Sequence, residues 1–372
     1  MTDLDDVPSH SADGDAQPRD MGERPLTKAF LVAGLVLFSV ILFTYGSSVL
    51  IPLAVALLVW FFINALAKAY RRLWSRWFGP MTHLSIVLAL LTMIAASLFA
   101  LEVVISNVST MSASSADFER SLTVLLDKVA AVTGVDREEL MDEVLGQFGL
   151  GQLLSSIVSA TTSFANSFAV VFIYVIFLLV EQKFFDVKLN AIVRDEKRRE
   201  QVRGILERIG HDVQSYLWIM AFVSILTAGL SYLVMILVGV KNAAFWAFLI
   251  FILNFIPTIG SIIGTALPAL YGLLQFGEVG PFLLLLAAIG TIQFLVGNVL
   301  QPRLSAKTLN LSQFVVILSL FVWGSMWGIA GMFLAVPITV IIMIVLSNFP
   351  STRPVAALLS EAGDVDADQI ND

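Results

Sequence analysis

The sequence predicts an all-α polytopic integral membrane protein, and three observations predict it. Apolar residues make up 58% of the chain and charged residues 14%, with a mean hydropathy of +0.86; such a balance cannot clothe a water-facing surface. Apolar runs close to the roughly 20 residues that cross a bilayer core recur along the chain, giving about eight hydrophobic helical segments. Lys and Arg are confined to a few loops, as in chains whose orientation is set by positive charge retained in the cytoplasm.

In chain order, residues 1–26 form an acidic tail carrying Asp3, Asp5, Asp6, Asp13 and Asp15. This is the wrong start for a cleaved signal peptide and reads as disordered and cytoplasmic. Residues 27–105 hold three transmembrane helices, near 28–45, 50–67 and 82–104. Gly46 and Pro52 are expected to turn the first two into a hairpin. Residues 106–159 carry Arg120, Lys128 and Arg137 against eight acids, which suits an extracytoplasmic insertion. Phe118, Leu122, Leu125, Leu126 and Val129 share a helical spacing there, and Asp136 with Glu139 resembles a capping box. A fourth span follows at 160–181.

Residues 182–215 carry Lys183, Lys188, Arg194, Lys197, Arg198, Arg199, Arg203 and Arg208. Val202, Ile205, Leu206, Ile209, Val213 and Leu217 keep one apolar face through this stretch, predicting a basic amphipathic cytoplasmic helix lying against anionic headgroups of the lipid bilayer. A fifth span at 216–240 precedes a transport core at 241–348 and an acidic cytoplasmic tail at 349–372. Lys68, Arg71, Arg72 and Arg76 place the second loop inside as well, so both termini are expected in the cytoplasm.

The core is interrupted twice. Asn254 to Pro268 reads N-F-I-P-T-I-G-S-I-I-G-T-A-L-P, and Trp323 to Pro337 reads W-G-S-M-W-G-I-A-G-M-F-L-A-V-P. Each holds a Gly-x-x-x-Gly pair, Gly260/Gly264 and Gly324/Gly328, followed by a proline. Broken backbone at membrane depth is tolerated only where protein buries it or it lines a wet cavity, and paired broken segments point to a transporter's binding site. The expectation is two re-entrant hairpins with meeting tips. The competing reading is full crossing, which would put Arg303 and Lys307 outside against the charge rule. A plain helix-packing role for the Gly pairs is a further alternative.

The predicted substrate pathway comprises Asn254, Pro257, Thr258, Gly260, Ser261 and Gly264 of the first break. Gln293, Asn298, Gln301, Pro302 and Arg303 follow in the polar strip, and Trp323, Gly324, Ser325, Gly328, Gly331 and Pro337 in the second break. Amides, hydroxyls and indoles suit a small neutral polar substrate, with Trp323 and Trp327 available to stack on a ring. Ionisable residues within spans are suspects for proton or ion coupling; these are Glu102 and Glu181. No phosphate-binding Gly-x-x-x-x-Gly-Lys loop, hydrolase motif or metal-ligand cluster is present, so neither nucleotide, metal, cofactor nor catalytic residue is expected, and nucleic acid is not a partner.

At N-F-I-P-T-I-G-S (254–261), N-V-L-Q-P-R-L (298–304) and L-S-L-F-V-W-G-S-M-W-G-I-A-G-M-F-L-A-V-P (318–337) the chain resembles the AI-2E family of transporters, the PerM-like group, over roughly 27–348. The resemblance implies an inner-membrane exporter of the quorum-sensing signal autoinducer-2 or a similar polar metabolite, and a homo-oligomer. Asn254, where many members carry an acid, fits the autoinducer-2 branch. Other relatives imply sodium or lithium/proton antiport, which would make Glu181 essential. A scaffold or receptor without flux is the reading of a different class.

Overall fold

The computed structural model describes residues 25–74, 82–113, 123, 169–305 and 310–363, and among them there is no strand. Among the described residues, six helices are long and apolar enough to cross a membrane by length and composition. Helix α1 (Pro25–Tyr45) belongs to one compact unit, residues 1–47, and everything from Ser48 onward to a second. The break after α1 falls at Gly46. Helix α2 (Ser47–Trp74) runs straight through Pro52, which therefore does not interrupt the chain as expected. Pro52 is the sixth residue of α2, past its first turn, so the helix continues there with one backbone hydrogen bond fewer.

Helix α3 spans Thr82–Ala113, eight residues further than the predicted boundary at 105. Apart from Thr123, the rest of the 106–159 insertion, with its expected capping box, lies outside the described residues, as does Lys307. Residues 169–181, α4, continue helical. Ala56, Ile63 and Ala67 of α2, Ala89 of α3 and Val175 of α4 form one buried core. The alanines at three of these five positions let the helices approach closely without a hydrophobic drive between them and lipid.

A 3₁₀ turn (Gln182–Phe184) and short α5 (Phe185–Ile192) lead to α6 (Glu196–Val238), 43 residues long. The stretch expected as an amphipathic helix and the expected fifth span are thus one continuous helix of about 65 Å, twice the hydrocarbon thickness. Asp195 caps the rod by accepting from Arg198 N at 2.9 Å, and Gly239 ends it at φ 87°. Arg203 reaches back to Asp186 of α5 at 3.0 Å.

The C-terminal half is built from two helical hairpins and the span between them. Helix α7 (Ala243–Leu253) is 11 residues, about 17 Å, too short to cross. The chain turns at 254–258 and returns as α8 (Ile259–Phe276), packed against α7. The base is tied shut: Lys241 N donates to Gln275 Oε1 at 2.7 Å, and Gln275 Nε2 donates to the Gly239 carbonyl at 2.8 Å. Both ends of the first hairpin therefore lie together. Helix α9 (Val279–Leu295) packs on α8 and α6, loosens into a π turn (Val296–Leu300), and ends in α10 (Gln301–Ser305).

Helix α11 (Gln313–Ser347) reverses at Gly328, whose φ 61°, ψ −140° is open essentially to glycine alone. A Cβ on Gly331 would sit 1.9 Å from the Trp323 carbonyl oxygen, so the two arms touch eight residues apart in sequence. The acidic tail expected from 349 is instead ordered at its start. Helix α12 (Arg353–Leu359) packs on α11, Ala356 is fully buried, and Ser312 N donates to the Leu359 carbonyl at 3.0 Å. Pro354 begins that helix where its missing N–H costs nothing.

Candidate functional site: a polar groove at the tip of the first hairpin

The turn at 254–258 is sharp because of three local features. Leu253 O accepts from Ile256 N at 2.8 Å, closing the last turn of α7. Pro257 O then accepts from Ile259 N at 2.6 Å across Thr258, which stands at φ 63°, ψ −58°. This is a γ-turn, a strained conformation for a β-branched residue. Gly260 follows, and a Cβ there would lie 1.7 Å from the Leu253 carbonyl oxygen, so only glycine lets α8 start against the end of α7.

The tip is fastened to the neighbouring span by side-chain amides. Buried Gln293 of α9 donates through Nε2 to Asn254 Oδ1 at 3.1 Å. Gly264 makes room for that amide, since a Cβ there would meet Gln293 Nε2 at 3.4 Å. Beside the pair runs a groove of about 390 Å³ lined by Ser261, Thr265, Gln293 and Asn298 together with Ile262, Ala266, Leu286, Gly290 and Phe294. No lining residue is ionisable. Thr265 Oγ1 donates to the Ser261 carbonyl at 2.8 Å, and Asn298 Nδ2 to the Phe294 carbonyl at 3.2 Å. Asn298 lies within the π turn, an irregularity frequent where a helix serves a site. The two hairpins meet through stacked rings, Phe255 on Phe333, with centroids 5.1 Å apart.

Among the residues singled out in the sequence, Ser261, Gln293 and Asn298 line this groove, Asn254 and Gly264 lie against Gln293, and Pro257, Thr258 and Gly260 shape the hairpin tip. The others are placed elsewhere. Trp323 and Trp327 are buried against each other, centroids 5.3 Å apart, and present no free face for stacking. Gly324, Gly328 and Gly331 form the second hairpin's tip, and Ser325 Oγ donates to its own helix at Val322 O. Pro268 and Pro337 ride buried inside α8 and α11, so neither proline makes a break. Gln301 Nε2 approaches Met220 Sδ at 3.5 Å, and Pro302 and Arg303 are exposed. Glu102 is exposed on α3; Glu181 is exposed and paired with Lys188. Thr265 was not legible as a site residue, although it lies one helical turn after Ser261. Phe255 and Phe333 carried no signal beyond their position in the two broken blocks.

The fold and this groove define a multi-pass α-helical membrane transport protein. A family model described as AI-2E family transporter matches residues 30–351, and the chain belongs to that family. It is 25% identical to the AI-2 transport protein TqsA of Escherichia coli K12 over 90% of this chain and 96% of TqsA. It is 36% identical to a candidate transport protein of Borreliella burgdorferi over 50% of this chain and 51% of that one. The candidate transport protein YhhT of E. coli K12 is 32% identical over 50% of this chain and 52% of YhhT. With those two relatives the match spans about half of each chain.

Proposed function

We propose that the chain exports a small, neutral, hydroxyl-rich solute such as autoinducer-2 across the bacterial inner membrane without nucleotide hydrolysis, with both termini in the cytoplasm. The observation that carries this reading is the Asn254–Gln293 amide pair beside an uncharged polar groove. Once paired, the Asn254 Nδ2 donor and the Gln293 Oε1 acceptor stay available to a ligand, and Ser261 and Thr265 retain hydroxyl lone pairs. Such a set orients neighbouring hydroxyls on a solute without requiring charge. Likeness to TqsA along nearly its full length supports the same substrate class. Transit follows when the hairpin tip withdraws, breaking the amide pair and relaxing the Thr258 γ-turn.

Antiport of cations asks for an ionisable group in the path, and the groove lining has none. The test is flux of labelled autoinducer-2 in liposomes holding only the full chain, with and without proton and sodium gradients. Asn254→Ala and Gln293→Leu should each remove most of the flux while leaving the amount of folded protein unchanged. A wild-type protein that moves no signal but alkalinises or acidifies the lumen on a sodium gradient would overturn the reading.

A further inference from the structure

Among the described residues, four buried side-chain polar atoms have no hydrogen-bond partner: Tyr216 Oη, Ser224 Oγ and Ser231 Oγ on α6, and Trp246 Nε1 on α7. Their residues are 5%, 0%, 0% and 4% exposed. At 3.6 residues per turn the three α6 positions fall within about 80° of arc and extend along about 22 Å of the helix. The fourth belongs to the same seam, because Trp246 packs in one cluster with Ala228 and Met235, the residues that bracket Ser231 on α6.

Hydroxyls elsewhere in these helices behave differently. Thr227, Thr265, Ser319 and Thr339 each donate to a carbonyl of their own preceding turn, at 2.7 to 2.8 Å. Ser224 and Ser231 do not, so their Oγ atoms are turned away from the backbone bond that a helical serine makes by default. Buried polar groups in folded proteins find partners, and where protein supplies none the partner is ordered water or an ion. The indole N–H decides between these. It donates only, and a cation at the seam would face that donor, whereas water accepts from it and donates onward to Ser231.

We infer that the inner face of α6 holds a file of bound water running from Tyr216 to Ser231 and reaching the Trp246 indole. The Ser231 end of this file lies between α6 and α7, and its Tyr216 end runs toward α10, where Gln301 Nε2 approaches Met220 Sδ at 3.5 Å. The Ser231 end gives the first hairpin a wet face against α6. Water also lets α7 exchange hydrogen bonds as it shifts against α6, where a dry seam would leave polar atoms stranded.

The probes are already in place, since Tyr216, Met220 and Trp246 are side chains that hydroxyl radicals attack readily. X-ray footprinting of the full chain in nanodiscs generates radicals from bound water at the site itself. Met220 and Trp246, 2% and 4% exposed, should be oxidised several-fold faster than Met343, 7% exposed on α11. The Ser224→Ala/Ser231→Ala double variant should bring both rates down to that of Met343 and lower the melting temperature, because it removes water ligands. Rates equal to Met343 in the wild type would overturn the inference. So would a melting temperature raised by the double variant, the result expected if stranded hydroxyls in a dry seam are removed. Should the variant fail to fold, the wild-type rates decide alone.

Discussion

Thr258→Gly, compared with Thr258→Ala, isolates the strain stored at the tip of the first hairpin. Both variants remove the hydroxyl and the branched methyl, and only glycine removes the Cβ that disfavours φ 63°, ψ −58°. A residue held in such a sparsely populated region costs about 1–3 kcal/mol. Glycine's greater freedom in the unfolded chain returns roughly 0.5–1 kcal/mol of that gain. The glycine variant should therefore be about 0.5–2 kcal/mol more stable than the alanine variant. Its melting temperature in detergent, followed by intrinsic fluorescence, should be the higher of the two. If the γ-turn relaxes as the tip withdraws, the same energy is added to the barrier for transport. Flux in liposomes should then fall about 2- to 30-fold relative to the alanine variant, at about 1.4 kcal/mol per decade. A glycine variant that melts no higher than the alanine variant would refute the stored strain; one that melts higher with unchanged flux would refute its link to transport.

Gly260→Ala places a Cβ 1.7 Å from the Leu253 carbonyl oxygen, a backbone atom that cannot swing aside, and should abolish flux or folded protein. Gly297→Ala in the π turn meets nothing within 4 Å and should retain both, as size-exclusion profiles and the flux assay would show. Glu181→Gln breaks only an exposed pair with Lys188, worth up to about 1 kcal/mol, and should leave flux and its pH profile unchanged. A steep loss there would return the residue to a coupling role.

Hydropathy made the spans legible because lipid imposes length and composition on each of them separately. The first hairpin was legible for a related reason: Pro257 and Gly260 mark backbone that cannot continue a helix within an apolar run. What escaped depended on tertiary contact. The apolar face read from Val202 to Leu217 already crossed from the basic stretch into the fifth span, and α6 is continuous there: no proline divides its 43 residues, and none of Gly204, Gly210 and Gly229 takes a positive φ. Pro268 and Pro337 read as breaks, yet a proline removes one backbone bond, and helices packed on every side tolerate that loss. Trp323 and Trp327 read as stacking platforms; the close approach of Gly331 turns both into the packing of the second hairpin. The amide pair was half legible, since Asn254 and Gln293 stood out as polar in an apolar region while their meeting required the turn between α7 and α8.

The stacked pair of Phe255 and Phe333 is the contact through which the two tips can influence each other, and a double-mutant cycle measures it. Phe255→Leu and Phe333→Leu keep apolar volume while removing the ring interaction, which for rings 5.1 Å apart at 25° is worth about 0.5–1.5 kcal/mol beyond burial. Either single change forfeits that interaction, so the double variant should be less destabilised than the sum of the singles by the same amount. Losses that add to within about 0.3–0.5 kcal/mol would show uncoupled sites. The cycle applies equally to flux. If withdrawal of the first tip requires parting the rings, each single variant should speed transport and the double variant should speed it little further. Additive changes in flux would mean that the second hairpin serves as fixed packing, leaving movement to the Asn254–Gln293 pair and the Thr258 turn alone.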